Sequence, residues 1–352
     1  MMERPRLLKI WADPNQGPGL RGKTILGAGV LAGILFLALQ GWWVLVPAPA
    51  VRSGPQVVEI PPHLGAFQVA HELERAGVIR SPLGFVLVSA LRGSARSLKP
   101  GEYEIPQNAT TLFILSLLEA GKVRKHLVVF SEGGTVQELG RLLEAEQLAS
   151  AKEVLRLARD PNFLRSLGLE AESLEGYLFP DTYQFIKGMT TEEMLVRMAQ
   201  RLREQVTPEV LARAEAMGLT LHQLLTLASI IEKEAVAPQE LRLISAVFWN
   251  RLRRGMALQA DPTVQYAVGK ERRTLSRADL QVNSPFNTYR FVGLPPAPIA
   301  SPGKAAIQAA LEPAQVKYLY FVSAGDDRLH HFSLTLEEHN SAVARYRLAR
   351  NK

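Results

Sequence analysis

Leu127-Val128-Val129-Phe130, then Gly133-Gly134, then Thr135-Val136-Gln137-Glu138-Leu139-Gly140-Arg141-Leu142 reads as a strand, a glycine turn and a short helix. The run Leu127–Phe130 is short, apolar and β-branched, whereas the segment after the glycines repeats its apolar residues at helical spacing. The same pattern occurs earlier in the chain. Val57-Val58-Glu59-Ile60 alternates like a strand, Gly65 follows, and Ala66-Phe67-Gln68-Val69-Ala70-His71-Glu72-Leu73-Glu74 is helix-like. Gly65, Gln68, Leu73 and Ala76 superpose on Gly134, Gln137, Leu142 and Ala145. Repetition of so compact a unit points to duplication. The first copy continues through an apolar helix, Leu83 to Leu91, into Leu98-Lys99-Pro100-Gly101-Glu102-Tyr103-Glu104-Ile105. A helix from Leu112 to Glu119 follows, closed by Gly121.

Upstream of the repeat, Ile25 to Val46 carries no charge and a single amide, Gln40. A helix needs about 20 apolar residues to cross the hydrocarbon layer of a bilayer, so this run is long enough. Trp42 and Trp43 stand near its far end, where indoles favour the interface. Arg4, Arg6, Lys9, Arg21 and Lys23 precede it against Glu3 and Asp13, whereas Arg52 is the only base close behind. By the positive-inside rule the N-terminus stays in the cytoplasm and the chain after Pro47 is exported. Ala48-Pro49-Ala50 resembles a signal-peptidase site, but the run exceeds the usual apolar core of about 7–15 residues and Pro49 disfavours cleavage. A retained anchor is the expectation.

The chain has 352 residues, of which 47% are hydrophobic and 21% charged, values of an ordinary folded protein. It has no cysteine, which rules out disulfides, thiolate metal sites and a cysteine nucleophile. The net charge of +7 does not point to nucleic acid, because the bases are interleaved with acids, as in Arg197, Arg201 and Arg203 with Glu192, Glu193 and Glu204. A mildly basic surface does suit an anionic polymer.

The helix Leu221 to Ala235 carries the chemistry. On a wheel of about 100° per residue, His222, Thr226, Ser229 and Lys233 form a polar stripe, and Leu221, Leu224, Leu225, Leu227, Ala228 and Ile231 an apolar arc. Glu232 falls inside that arc, and Glu234 at its margin beside Gln223. Two residues apart on a helix, the carboxylates face different ways and do not share a site. A carboxyl group on an apolar face has its charged form disfavoured, so it holds a proton near neutral pH, as a general acid must. Downstream, Asn250-Arg251-Leu252 ends a helix. Leu258 to Tyr266 and Asn283 to Tyr289 then set amides, hydroxyls, an acid and an aromatic ring in loops. Gly293 to Gly303 is a proline-stiffened loop. Gln259, Asp261, Thr263, Asn287 and Tyr289 are the candidates for holding a sugar, which amides, hydroxyls and ring faces recognise. No HExxH, Walker loop or GxSxG is present, and the seven histidines show no metal spacing, so neither metal nor cofactor is expected.

These motifs resemble the YceG-like endolytic murein transglycosylases. The likeness rests on Leu174-Glu175-Gly176-Tyr177-Leu178-Phe179-Pro180-Asp181-Thr182-Tyr183, Ala228-Ser229-Ile230-Ile231-Glu232-Lys233-Glu234, Asp261-Pro262-Thr263, Asn287-Thr288-Tyr289 and Gly293-Leu294-Pro295-Pro296. Lys317-Tyr318-Leu319-Tyr320-Phe321-Val322 and His331-Phe332-Ser333 extend it. Tyr177 stands where tryptophan is frequent, and Ala235 where a hydroxyl residue is frequent. The resemblance implies an α+β protein with a single membrane helix, a lysin-motif-like βααβ subdomain and a mixed catalytic domain. The expected division is a cytoplasmic tail 1–24, membrane helix 25–46, linker 47–55, lysin-motif-like subdomain 56–125 and catalytic domain 126–352. It also implies cleavage of peptidoglycan strands between N-acetylmuramic acid and N-acetylglucosamine, leaving 1,6-anhydro ends, with Glu232 as the acid/base. Location in the bacterial cytoplasmic membrane and association with wall-synthesis enzymes are further implications. Two other readings stay open. One is a hydrolytic muramidase using Asp261 or Glu175 as a second carboxylate; the other is a non-enzymatic peptidoglycan-binding scaffold.

Overall fold

A computed structural model describes residues 20–48, 54–269, 274–324 and 329–350. Most of the basic tail (Arg4, Arg6, Lys9) and part of the linker (49–53) lie outside the described residues. Two compact units, Met1–Arg124 and Lys125–Lys352, make up the chain. The fold is mixed α+β, with one N-terminal helix long and apolar enough to cross a membrane.

In the first unit that helix, α1, spans Leu20–Leu45. It is followed by β1 (Gln56–Ile60), α2 (Ala66–Arg75), α3 (Pro82–Leu91), β2 (Gly101–Ile105) and α4 (Thr111–Ala120). β1 pairs with β2 antiparallel, so the module is βααβ with α4 appended. Strand alternation turns Val58 and Ile60 inward onto Val69, Leu73, Phe85 and Leu115, while Val57 and Glu59 face out.

The second unit opens with the same plan extended by one short helix: β3 (His126–Phe130), α5 (Val136–Ala145), α6 (Ala151–Leu157), the added α7 (Pro161–Ser166) and β4 (Asp181–Phe185). β3 and β4 pair antiparallel in a register equivalent to that of β1 and β2, with Val58 opposite Tyr103 and Val128 opposite Tyr183. Each tyrosine hydroxyl donates to the carbonyl four residues earlier, Tyr103 to Lys99 and Tyr183 to Phe179. The duplication is therefore real, but its alignment lies one residue from the glycine match. The helix caps are Gly65 and Thr135, so Val69 corresponds to Leu139 and Leu73 to Leu143, all four buried. Leu142, the residue expected to match Leu73, is exposed. Thr135 accepts from the Glu138 amide and Glu138 reaches back to the Thr135 amide, a capping box that fixes where α5 starts whichever glycine precedes it.

α8 (Thr191–Gln205), α9 (Pro208–Ala216), α10 (Leu221–Glu234), α11 (Leu241–Arg253), α12 (Asp261–Ala267), α13 (Lys304–Leu311), the hairpin β5 (Tyr320–Ser323)–β6 (His330–Ser333) and α14 (Leu336–Arg350) complete the unit. α10 is its centre, packed on α9, α11, α12 and α13. Leu224 to Ile231 are all buried, including Thr226 and Ser229. Those two belong to the stripe that the wheel sets opposite the apolar arc. They are tolerated inside because the Thr226 hydroxyl donates to the His222 carbonyl and the Ser229 hydroxyl to that of Thr226.

Candidate active site

The proline loop 293–303 is held from two sides. From α10, the Ser229 hydroxyl accepts from the Ile299 amide at 3.1 Å. His222 reaches the Pro296 carbonyl with Nε2 at 2.7 Å and the Tyr177 hydroxyl with Nδ1 at 2.7 Å. A carbonyl only accepts, so Nε2 carries the proton and Nδ1 receives the tyrosine's. From the turn after β3, the Gly133 amide donates to Ser301, and the Ser301 amide donates back to Gly134, both at 2.8 Å. Segments far apart in the sequence, around Tyr177, on α10 and at Gly133-Gly134, thus converge on one loop.

Glu232 lies where these pieces meet. Its carboxylate accepts from the Gly303 amide at 2.9 Å, at the N-terminus of α13. It is partly buried, and burial is the main cause of a pKa raised above the ordinary glutamate value. The Gly303 N–H works against that shift, repulsion from Glu132 adds to it, and Lys233 opposes it weakly. Lys233 itself donates to the Gly133 carbonyl at 3.2 Å.

Glu132 is the residue that the sequence reading missed. Its side chain lies over Gly303, where a Cβ would come within 2.0 Å of Glu132 Oε1. Gly303 has an ordinary extended conformation, so a side chain there would meet no backbone strain but would have to displace Glu132. One glycine is thus flanked by two carboxyl groups, Glu232 on its amide and Glu132 over its Cα. The neighbouring Gly133 has φ +70, a conformation that costs other residues about 1–2 kcal/mol.

The remaining candidates form a second cluster. Glu234 is separated from Glu232, as the spacing requires, but it is not peripheral. Burial of its carboxyl group, reinforced by Asp261, raises its pKa to about 8 against the opposing Asp261 amide and Arg251. The Tyr289 hydroxyl donates to Asp261 at 2.6 Å. Buried Arg251 donates to the Leu319, Ala257 and Leu258 carbonyls and to Gln259 Oε1. Gln259 is exposed with φ +51, a left-handed conformation that is unfavourable for a side-chain-bearing residue. Asp261 is exposed too, and Tyr289 half-buried, so this trio presents polar groups outward.

Thr263 and Asn287 are different. Thr263 is wholly buried, donates to the Ala260 carbonyl and accepts from Thr288. Asn287 is wholly buried as well, its amide donating to Leu280 and Val282 and its oxygen accepting from the Tyr289 amide. Both side chains hold the loops that carry Asp261 and Tyr289. Glu175 is buried behind α5, where it accepts from the Val136 amide at 3.1 Å.

A half-buried carboxyl group with a raised pKa and a second carboxylate beside it are the kind of groups that acid–base chemistry uses, which makes this the candidate active site. The YceG-like family profile matches residues 58–345, and the chain belongs to that family. It is 31% identical over 329 residues to the endolytic murein transglycosylase of Bacillus subtilis (strain 168), covering 89% of this chain and 91% of that one. It is 28% identical over 333 residues to the endolytic murein transglycosylase of Streptococcus pneumoniae serotype 2 (strain D39 / NCTC 7466), with 86% of this chain and 60% of the longer relative aligned. A 2.6 Å crystal structure of a YceG-like protein from Listeria monocytogenes superposes with a TM-score of 0.59 at 32% identity, covering 82% of this chain and 98% of that one.

Proposed function

We propose that this chain is a membrane-anchored endolytic lytic transglycosylase of peptidoglycan, with Glu232 as its acid and then its base. The observation that carries this reading is the Glu232 carboxyl group, partly buried, with a raised pKa and seated on the Gly303 amide beside Glu132. The names of the Bacillus and Streptococcus relatives support the substrate class.

Protonated Glu232 donates its proton to the glycosidic oxygen as the bond from C1 of the N-acetylmuramic acid breaks. The carboxylate left behind takes the proton of the C6 hydroxyl of the same sugar, whose oxygen closes on C1. Glu232 regains its proton, the leaving strand carries the first one, and no water is consumed. The opposed influences on Glu232 suit this cycle. Burial and Glu132 favour the acid that starts it; the Gly303 N–H and Lys233 favour the carboxylate in its middle. Gln259, Asp261 and Tyr289 hold the sugars, and Thr263 and Asn287 brace them. The lysin-motif-like module at 56–125 binds glycan, the catalytic unit lies outside the cytoplasm, and nascent strands are the substrate. A pure scaffold would leave the raised pKa and the paired carboxyl groups without a use.

Mass spectrometry of glycan strands digested by the full chain in detergent tests the reading. Products ending in 1,6-anhydro sugars are expected. Reducing ends would make the protein a hydrolase, with Glu132 as the second carboxylate. Binding without cleavage would make it a scaffold.

A further inference from the structure

Helix α3, Pro-Leu-Gly-Phe-Val-Leu-Val-Ser-Ala-Leu, contains no charge and no amide side chain. One side of it enters the core of the first unit through Phe85 and Ser89. The other side leaves Leu83, Leu87 and Leu91 exposed at 54%, 41% and 79%, spaced four residues apart on one face. The duplicated unit provides an internal control. α3 and α6 both start from a serine cap, Ser81 accepting from the Gly84 amide and Ser150 from that of Glu153. Counted from those caps, Leu83 corresponds to Lys152 and Leu87 to Arg156, both exposed. The same positions of the same plan carry cations in one copy and leucines in the other.

What lies beside α3 says why. Its first turn packs on the end of α1. A Cβ on Gly84 would come within 2.9 Å of Val44 Cγ2 and 3.3 Å of the Gln40 carbonyl. The Ser81 hydroxyl donates to the Gln40 side chain, and Arg80 Nε donates to the Pro47 carbonyl at 2.8 Å. Gln40 and Val44 are buried by these contacts, whereas Leu31, Leu35, Leu39 and Trp42 of α1 are exposed. The apolar stretch of α1, Gly27–Leu45, has 19 residues and so is about 28 Å long. That matches a hydrocarbon layer of roughly 30 Å. Gln40 lies about 8 Å below the end of that stretch at 1.5 Å per residue. Helices lying in the interface sit about 5–10 Å into the boundary between headgroups and acyl chains. Arg80 and Arg92 bracket α3 at its two ends, Arg80 on the Pro47 carbonyl and Arg92 paired with Glu119 at 3.2 Å.

We propose that the Leu83–Leu87–Leu91 face of α3 lies in the outer leaflet of the membrane that α1 spans, as an interfacial helix that fixes the first unit on the bilayer. The proposal rests on α1 being retained as the anchor. It makes the first unit a membrane-seated platform and not a module swinging on the linker.

The absence of cysteine makes site-specific labelling direct. The full chain, reconstituted in vesicles of phosphatidylethanolamine and phosphatidylglycerol, would carry an environment-sensitive fluorophore on a single introduced cysteine. The variants are Leu83→Cys, Leu87→Cys and Leu91→Cys, with Leu35→Cys on α1 and Lys152→Cys and Arg156→Cys on α6 as references. Blue-shifted emission, quenched by nitroxide lipids, is expected at positions 35, 83, 87 and 91, and water-like unquenched emission at 152 and 156. Quenching at 35 with water-like emission at 83, 87 and 91 would overturn the inference and leave the anchor standing. A blue shift at 83, 87 and 91 without lipid quenching would mean that protein covers the face, and would overturn it equally. Water-like emission at 35 would remove the anchor itself, and the inference with it.

Discussion

The two copies of the duplicated unit differ in their chemistry at the turn between the first strand and the first helix. In the first copy this turn is Pro61-Pro62-His63-Leu64-Gly65, and in the second Ser131-Glu132-Gly133-Gly134-Thr135. The backbone path is conserved, because His63 has φ +68 where Gly133 has φ +70. The chemistry is not. The second turn places a carboxylate over Gly303 and its Gly133 amide on Ser301, and Lys233 of α10 grips it in return. The first turn carries a proline where Glu132 stands. One supersecondary plan therefore carries a plain turn in one copy and a wall of the candidate site in the other, and a handful of turn residues separates the two.

Removing the distinctive carboxylate should have the largest effect in this comparison. Glu132→Gln takes away a like charge that helps Glu232 keep its proton, so the alkaline limb of the pH–rate profile should move to lower pH. The rate at neutral pH should fall by up to about tenfold. Gly303→Ala, whose methyl group displaces the Glu132 side chain, should move the limb in the same direction. A profile unmoved in both variants would reduce Glu132 to a surface residue.

Smaller effects separate the two turns by stability. Gly133→Ala should cost about 1–2 kcal/mol, because a Cβ is strained at φ +70. His63→Gly relieves that strain while adding freedom to the unfolded chain, so its change should stay within about 1 kcal/mol and activity should be untouched. Denaturant unfolding of the two variants measures both.

Glu234 should matter far less to activity than Glu232, and its signature is instead in stability. Its folded pKa of about 8 exceeds the unfolded value, so the folded chain keeps a proton that the unfolded chain has released. Stability should therefore fall as the pH rises from the ordinary glutamate range towards 8. Glu234→Gln removes that loss, and its melting temperature should decline less than the parent's across the same window.

Much of this architecture was legible before any coordinates. Alternation marked the strands, an uncharged run marked α1, and the apolar arc marked Glu232 as a carboxyl group that the fold partly buries. Glu132 was not legible, because it sits in a turn without periodicity, far from Glu232 along the chain. The repeat was misaligned by one residue because glycines were matched, whereas the helix start is set by the Thr135–Glu138 capping box. Glu234 was placed at a margin because a wheel assumes one wet side, and α10 is enclosed through most of its length. Thr263 and Asn287 show a further limit: side-chain polarity does not say whether the partner is a ligand or the protein's own carbonyls.

Which glutamate of α10 moves the proton is tested most directly by paired rates of anhydro-product formation by Glu232→Gln and Glu234→Gln. The full chain carrying Glu232→Gln should fold, bind strands and lose activity by about 10³–10⁴-fold or more, because an amide cannot cycle a proton. Glu234→Gln should stay within about tenfold of the parent. An active Glu232→Gln beside an inactive Glu234→Gln would contradict the account, and would move the chemistry to the cluster of Glu234, Asp261 and Tyr289.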